Sequence, residues 1–173
     1  MRRQIQRPDA IDLVVEDPRW ADTGLDTLAQ TAIGLALRHA GVIQPVEVAI
    51  LACDDARIAT LNSEFRGRSN ATNVLSWPAF DLFPARPGGA PLTDLPVDPF
   101  GVPFLGDIAI AYETVVAEAT SGTISLDDHI LHLILHACLH LLGYDHQIPA
   151  DAEVMEGLEV KALAECGIAS PYD

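Results

Sequence analysis

Five of the six histidines of this chain fall within the segment 129–146, and this cluster constrains the fold more than any other feature of the sequence. Apolar residues separate the histidines at helical spacing, and Ser125 or Asp127 can cap the N-terminus. The pattern predicts a long helix that ends near Leu142 and has one polar and one apolar face. The apolar face consists of Leu131, Leu135, Cys138 and Leu142.

Three histidines, His132, His136 and His140, recur every four residues on the polar face. Residues four apart on a helix have Cβ atoms about 5–6 Å apart, so two imidazoles can bind one cation at about 2.0–2.1 Å. Eight residues of helix span about 12 Å, too far for one ion to bind all three. Gly143 permits a left-handed turn that ends the helix and returns His146 toward His140. The sequence therefore predicts a site for one divalent metal ion per chain on His136, His140 and His146.

Three histidines with an open fourth position are typical of catalytic zinc sites, whereas structural sites are usually closed by four protein ligands. The spacing thus favours a metal-dependent hydrolase, with Zn²⁺ as the first choice of ion. His132 and Asp145, which lie close to the ligands in sequence, are candidates for orienting a ligand histidine through a hydrogen bond.

Two other functions fit the same spacing. Metzincin-like metalloproteases have it, but their general base is a Glu directly after the first His. Ala137 occupies that place here, so the protease is an alternative only. The other alternative is a non-enzymatic assembly factor whose metal is purely structural. A hidden fourth ligand, such as His132 or Asp107, would favour that function.

Strand-like and helical segments alternate along the rest of the chain. Strands are predicted at 11–15, 46–52, 73–77 and 107–111, and helices at 20–40, 54–67, 112–120, 125–142 and 149–167. Seven of the twelve prolines fall in 78–105, which predicts a long loop inserted in the domain. The expected fold is a single α+β domain over residues 1–173, with a small mixed four-stranded sheet and about five helices. The metal site would lie at the C-terminal end of the long helix.

The formal net charge of −15 argues against a broad electrostatic footprint on nucleic acid. Arg57, Arg66 and Arg68 are nevertheless close together in a chain with ten lysines and arginines. From charge alone, a solvated helix face is the simpler interpretation of these three residues.

No apolar run approaches the roughly 20 residues that span a bilayer, and polar residues interrupt the segment behind the basic start Met1-Arg2-Arg3. Cys53, Cys138 and Cys166 are widely spaced and odd in number, which predicts buried, reduced thiols. These features predict a cytoplasmic protein.

The segment from His136 to His146, HACLHLLGYDH, resembles the signature of the bacterial YbeY family of rRNA maturation endoribonucleases. Further matching stretches are LNSEFRG at 61–67, ATNVLSWP at 71–78, LGDI at 105–108 and PYD at 171–173. The resemblance runs from about residue 10 to the end. It departs from the family at Ala137, where Gly is usual, at Ala71, where Pro is usual, and in a loop at 78–105 that is longer than typical.

The resemblance implies cleavage of single-stranded RNA, with a role in small-subunit rRNA 3′-end maturation and ribosome quality control. It implies metal ligation by His136, His140 and His146 and a functional arginine at Arg66, whose planar guanidinium suits two phosphate oxygens. The partners so implied are the small-subunit rRNA precursor, ribosomal small-subunit proteins and assembly factors. Neither a membrane nor DNA is expected as a partner. Delivery of the RNA by these partners would reconcile the activity with the acidic chain.

Overall fold

The computed structural model of the chain, which describes residues 10–96 and 101–173, contains one mixed sheet of four strands. The strands are β1 Ala10–Val15, β2 Glu47–Cys53, β3 Val74–Pro78 and β4 Phe104–Ala111. Their order across the sheet is β1-β2-β4-β3. β1, β2 and β4 are parallel, and β3 pairs antiparallel with β4. This arrangement confirms the predicted α+β fold with a mixed four-stranded sheet.

Five α-helices surround this sheet in the described part of the chain. They are α1 Leu25–Ala40, α2 Asp55–Arg66, α3 Tyr112–Ser121, α4 Leu126–Leu141 and α5 Pro149–Glu165. The first helix begins later than predicted. A short 3₁₀ helix, Pro18–Asp22, precedes it, and Gly24 adopts a left-handed φ of 69° between the two. Trp20 is buried like the apolar residues of α1, but it belongs to the 3₁₀ helix. The predicted start at residue 20 is therefore too early.

The sheet has two differently covered faces because successive strand residues point to opposite sides. One face, including Ile50 and Ile108, belongs to the main core with α1 and α4. The other face, including Ala109, packs against Ile58 and Leu61 of α2. The sheet thus separates α2 from the histidine-bearing α4, and both helices approach the edge strand β3.

Helix α4 lies at the centre of the main core and is enclosed on nearly all sides. Between positions 129 and 141, every residue is buried except His132, His136 and His140. The predicted apolar face is buried as expected, and the histidines form the single partly exposed stripe of this region. Although α4 is strongly apolar, no helix in residues 10–96 and 101–173 is both long and apolar enough to cross a membrane.

The proline-rich segment between β3 and β4 has no helix or strand in its described parts, 79–96 and 101–103. β4 nevertheless begins at Phe104, three residues before the predicted start. Leu82 and Leu95 of the segment are buried in the main core. The Gly88 N–H also donates to the Asp151 carboxylate of α5 at 2.7 Å. The described part of this loop is therefore anchored to the domain.

The three cysteines differ in exposure. Cys53 and Cys138 are buried, as predicted, but Cys166 follows α5 and is exposed, so the prediction is wrong for Cys166. Its position after the last buried turn of α5, rather than inside an apolar run, explains the difference. Burial raises the pKa of the Cys53 thiol to about 12, and its Sγ donates to the Ile110 carbonyl oxygen.

We expect one thiol per native chain to react rapidly with a disulfide reagent at pH 8, because only Cys166 presents its sulfur to solvent. All three thiols should react after denaturation. Spectrophotometric thiol counting under the two conditions measures this, and rapid reaction of two or three native thiols would contradict the described packing.

Candidate metal centre and substrate cleft

The turn after α4 returns the chain to the histidines. The Gly143 N–H donates to the His140 carbonyl at 3.1 Å, and the Tyr144 N–H donates to that of Leu139 at 3.0 Å. Gly143 has a φ of 100°, as its predicted role in ending the helix requires. A Cβ at Gly143 would lie 2.6 Å from the Leu82 carbonyl oxygen. The packing of the proline-rich loop against this turn therefore also requires glycine at position 143.

Each of the two paired histidines uses its Nδ1–H as a donor, which fixes its tautomer. His136 Nδ1 donates to a carboxylate oxygen of Glu159 at 2.7 Å. His140 Nδ1 donates to the Tyr144 carbonyl oxygen at 2.9 Å. Each Nε2 is then left with an unshared pair in the neutral ring. The two Nε2 atoms lie 3.1 Å apart.

Unshared pairs held this close need a cation or a proton between them. Two nitrogens on a tetrahedral ion, each at about 2.0–2.1 Å, are about 3.3 Å apart, close to the 3.1 Å observed here. The exposed ring of His146 has its centroid 5.2 Å from that of His136 and 5.0 Å from that of His140. One nitrogen of each of the three rings lies within 4.8 Å of the other two. The residues present fit a metal ion, and the structure brings together the three histidines that the sequence predicted as ligands.

His140 is partly buried, whereas His146 is exposed. Burial, together with repulsion from His136 and His146, lowers the pKa of His140 to about 4. A neutral imidazole at pH 7 is the form that metal ligation requires.

Glu159 of α5 is a site residue that the sequence reasoning missed. Its side chain has no exposed surface, and its two oxygens contact His132, at 2.9 Å, and His136, at 2.7 Å. Burial opposes its ionisation, but hydrogen bonds from these histidines outweigh that effect and lower its pKa to about 2. A signal was available, because Glu159 shares its helix face with the buried residues Met155 and Leu163.

The other predicted residues have different surroundings. His132 lies 2.9 Å from Glu159 and makes an edge contact with the His136 ring, with centroids 6.2 Å apart, but it is not a member of the three-histidine group. The Asp145 carboxylate accepts the main-chain N–H of His146 at 2.8 Å, and its negative charge partly offsets the lowering of the His140 pKa. His129 Nε2 lies 3.3 Å from a carboxylate oxygen of Glu118 in α3.

A cleft of about 820 Å³ opens in front of the histidines. Arg66, predicted as the functional arginine, lines it together with Arg68, His136, His140 and His146. The Arg66 guanidinium donates to the main-chain carbonyl of Ser76 in β3 at 2.9 Å, which holds the end of α2 against the sheet edge.

The wall of this cleft is locally basic although the chain is acidic. Among the described lining residues, Asp145 is the only carboxylate, against the two arginines. Arg57, the third arginine of the cluster, lies outside the cleft and pairs with Glu16 at 3.3 Å. The solvated-face interpretation therefore fits Arg57, but Arg66 and Arg68 face the site.

Sequence comparison places these residues in a known family. The family model described as Endoribonuclease YbeY matches residues 14–167. The Endoribonuclease YbeY of Dinoroseobacter shibae is 49% identical over 173 residues, covering 96% of this chain and 95% of that protein. The Endoribonuclease YbeY of Ruegeria pomeroyi is 50% identical over 163 residues, covering 94% of this chain and 97% of that protein.

A structural comparison supports the fold. The solution structure of TM1509 from Thermotoga maritima aligns with a TM-score of 0.50 and 20% identity. The alignment covers 91% of each chain. At this identity the likeness concerns the fold alone.

We expect protein purified without chelators to contain one divalent ion per chain, measured by elemental analysis. His140→Ala should lose the ion, because it removes one of the two Nε2 atoms that lie 3.1 Å apart. His39→Ala is the matched control, since His39 pairs with Glu165 outside the cluster. Full metal content in His140→Ala would contradict the proposed ligand set.

Proposed function

The chain belongs to the YbeY family of endoribonucleases, and on that premise we propose that it cleaves single-stranded RNA during maturation of the small-subunit rRNA 3′ end. The observation that carries the proposal is a single cleft. It is lined by two arginines and the three histidines: Arg66, Arg68, His136, His140 and His146. A phosphodiester in this cleft would meet cationic side chains and a candidate metal centre together.

We assign metal binding to His136, His140 and His146, with Zn²⁺ as the expected ion. Three neutral imidazoles and an open position suit zinc, although histidine sites accept other divalent ions. When bound, such an ion supplies Lewis-acid polarisation of a phosphoryl oxygen and activation of water.

Arg66 is the residue to which we assign phosphate binding. Its guanidinium is held at Ser76 by one N–H, which leaves other donors of the planar fork for two phosphate oxygens. Because the charge of arginine is permanent, it can stabilise the negative charge that develops on the phosphate during cleavage. Arg68 on the same cleft would extend this contact along the RNA backbone.

The metalloprotease alternative lacks support from the site. Ala137 is buried where that class has its Glu base. The Asp145 carboxylate already accepts the His146 main-chain N–H. The carboxylate behind the histidines, Glu159, is fully buried and engaged by His132 and His136. It is therefore not placed to take a proton from a water in the cleft.

The structural-metal alternative requires a fourth protein ligand. Within residues 10–96 and 101–173, the group around His140 contains three potential ligand residues, and neither His132 nor Asp107 is a member. An open position favours catalysis over a purely structural ion.

The acidity of the chain limits how it meets RNA. A net charge of −15 weakens non-specific binding to free RNA. We propose that small-subunit ribosomal proteins and assembly factors present the rRNA precursor in the cytoplasm, while Arg66 and Arg68 supply local phosphate contacts. The reduced cysteines fit that compartment.

We expect Arg66→Ala to lower the rate of single-stranded RNA cleavage by roughly 10²–10³, the loss caused by removing one preorganised charge stabiliser. Metal content should be unchanged, since Arg66 contacts no candidate ligand, and the melting temperature should fall by only about 2–4 °C, from loss of the one hydrogen bond to Ser76. Arg57→Ala, on the same helix but outside the cleft, is the matched control and should cleave normally. Equal cleavage rates for the two variants would remove the role assigned to Arg66.

A cellular experiment tests the biological role. Cells depleted of the protein should accumulate 3′-extended small-subunit rRNA, and expression of Arg57→Ala but not Arg66→Ala should restore processing. Mapping rRNA 3′ ends measures this. Restored processing by Arg66→Ala, with His140→Ala inactive, would instead support the assembly factor with a structural metal.

A further inference from the structure

Glu159 lies at the centre of a hydrogen-bond network behind the candidate metal centre. It is fully buried on α5. His136 donates to its Oε1 at 2.7 Å, and His132 lies 2.9 Å from its Oε2. The Tyr172 hydroxyl, from the segment after α5, donates to the same Oε2 at 2.5 Å. No lysine or arginine in the described residues pairs with this carboxylate.

An ionised carboxylate satisfies these three partners at once. It offers about four lone-pair sites and no hydrogen, so it can accept from two imidazoles and a hydroxyl. Burial and the neighbouring Glu159 charge raise the pKa of Tyr172, so its hydroxyl stays protonated and donates. An amide at position 159 would have one acceptor oxygen for three donors and would turn its own N–H groups toward some of them.

The arrangement has a direct consequence for His136. Because Oε1 holds the proton on Nδ1, the unshared pair of that ring must lie on Nε2, the atom that faces His140 at 3.1 Å. Within residues 10–96 and 101–173, the partners of this buried negative charge are histidines and a tyrosine, and no lysine or arginine neutralises it. A divalent ion bound at Nε2 of His136 would place a positive charge on the opposite side of the ring from Glu159. It would thereby offset the buried negative charge of the carboxylate.

We propose that Glu159 and Tyr172 are positioning residues for the metal centre: Glu159 orients and polarises His136, and Tyr172 holds the Glu159 carboxylate in place. The inference rests on the metal assignment of the proposed function. It extends the site to α5 and to the segment after it, which the three-histidine motif does not include.

A second metal ion on His132, His136 and Glu159 is the rival interpretation, since their ligand atoms also lie within 4.8 Å of one another. The contacts argue against it. The two histidine–carboxylate distances are 2.7 and 2.9 Å, as expected for direct hydrogen bonds. Two ligands of one tetrahedral ion would be about 3.3 Å apart.

Zinc affinity is the test, measured by competition between metal-free protein and a chromophoric chelator. Glu159→Gln should bind Zn²⁺ roughly 10- to 100-fold more weakly, as expected on loss of a carboxylate that orients a ligand histidine. Tyr172→Phe should bind roughly two- to tenfold more weakly, from loss of one hydrogen bond. Glu153→Gln, which removes an exposed carboxylate from the same helix, should bind as the unmodified protein does.

The melting temperature of each metal-free variant separates positioning from folding. Weaker zinc binding by folded Glu159→Gln and Tyr172→Phe supports the proposal, and unchanged affinity in both overturns it. If Glu159→Gln does not fold, Tyr172→Phe decides, because Tyr172 is 44% exposed and the substitution removes one hydroxyl and no buried apolar group. If the unmodified protein binds no divalent ion, the metal assignment itself is wrong and this inference falls with it.

Discussion

The 3.1 Å approach of the His136 and His140 Nε2 atoms is the interaction on which the rest of the site depends. It exists because residues four apart share a helix face and because both Nδ1 atoms are already committed to acceptors. One acceptor, the Tyr144 carbonyl, comes from the turn that Gly143 permits. The other, Glu159, comes from a different helix. Without both acceptors the imidazoles could rotate or exchange tautomers, and no fixed pair of ligand atoms would face the cleft.

The fold supplies the rigidity that this pair needs. α4 is enclosed by the core except along its histidine stripe, so the positions of the candidate ligand side chains are set by a helix that has little freedom to move. The edge strand β3 brings the second functional element, because the Ser76 carbonyl accepts from Arg66 at the end of α2. The candidate metal centre and Arg66, to which we assign phosphate binding, therefore reach one cleft from opposite faces of the sheet. This juxtaposition makes a locally basic site on an acidic protein.

The parts of the site that depend on local geometry could be predicted from the sequence. The i, i+4 histidine pair, the glycine turn and the returning His146 lie within eleven consecutive positions, where helix geometry decides which side chains meet. The alternating strands and the proline-rich loop were likewise local patterns. Contacts between distant segments were not predictable in this way. Glu159 lies 23 residues from His136 along the chain, and the approach of Leu82 to Gly143 depends on how the loop folds over the turn. The late start of α1 was missed because Trp20 is buried like a helix residue although it belongs to the 3₁₀ helix.

Zinc X-ray absorption spectroscopy of the metal-loaded protein tests the central claim most directly, because it reports the number and type of atoms bound to the ion. We expect three imidazole nitrogens at about 2.0–2.1 Å and one light-atom ligand that solvent or phosphate can replace. Addition of a phosphodiester analogue should then change the fourth ligand and leave the three imidazoles in place. A spectrum with sulfur ligation, or with four protein ligands that the analogue does not displace, would contradict an open three-histidine centre.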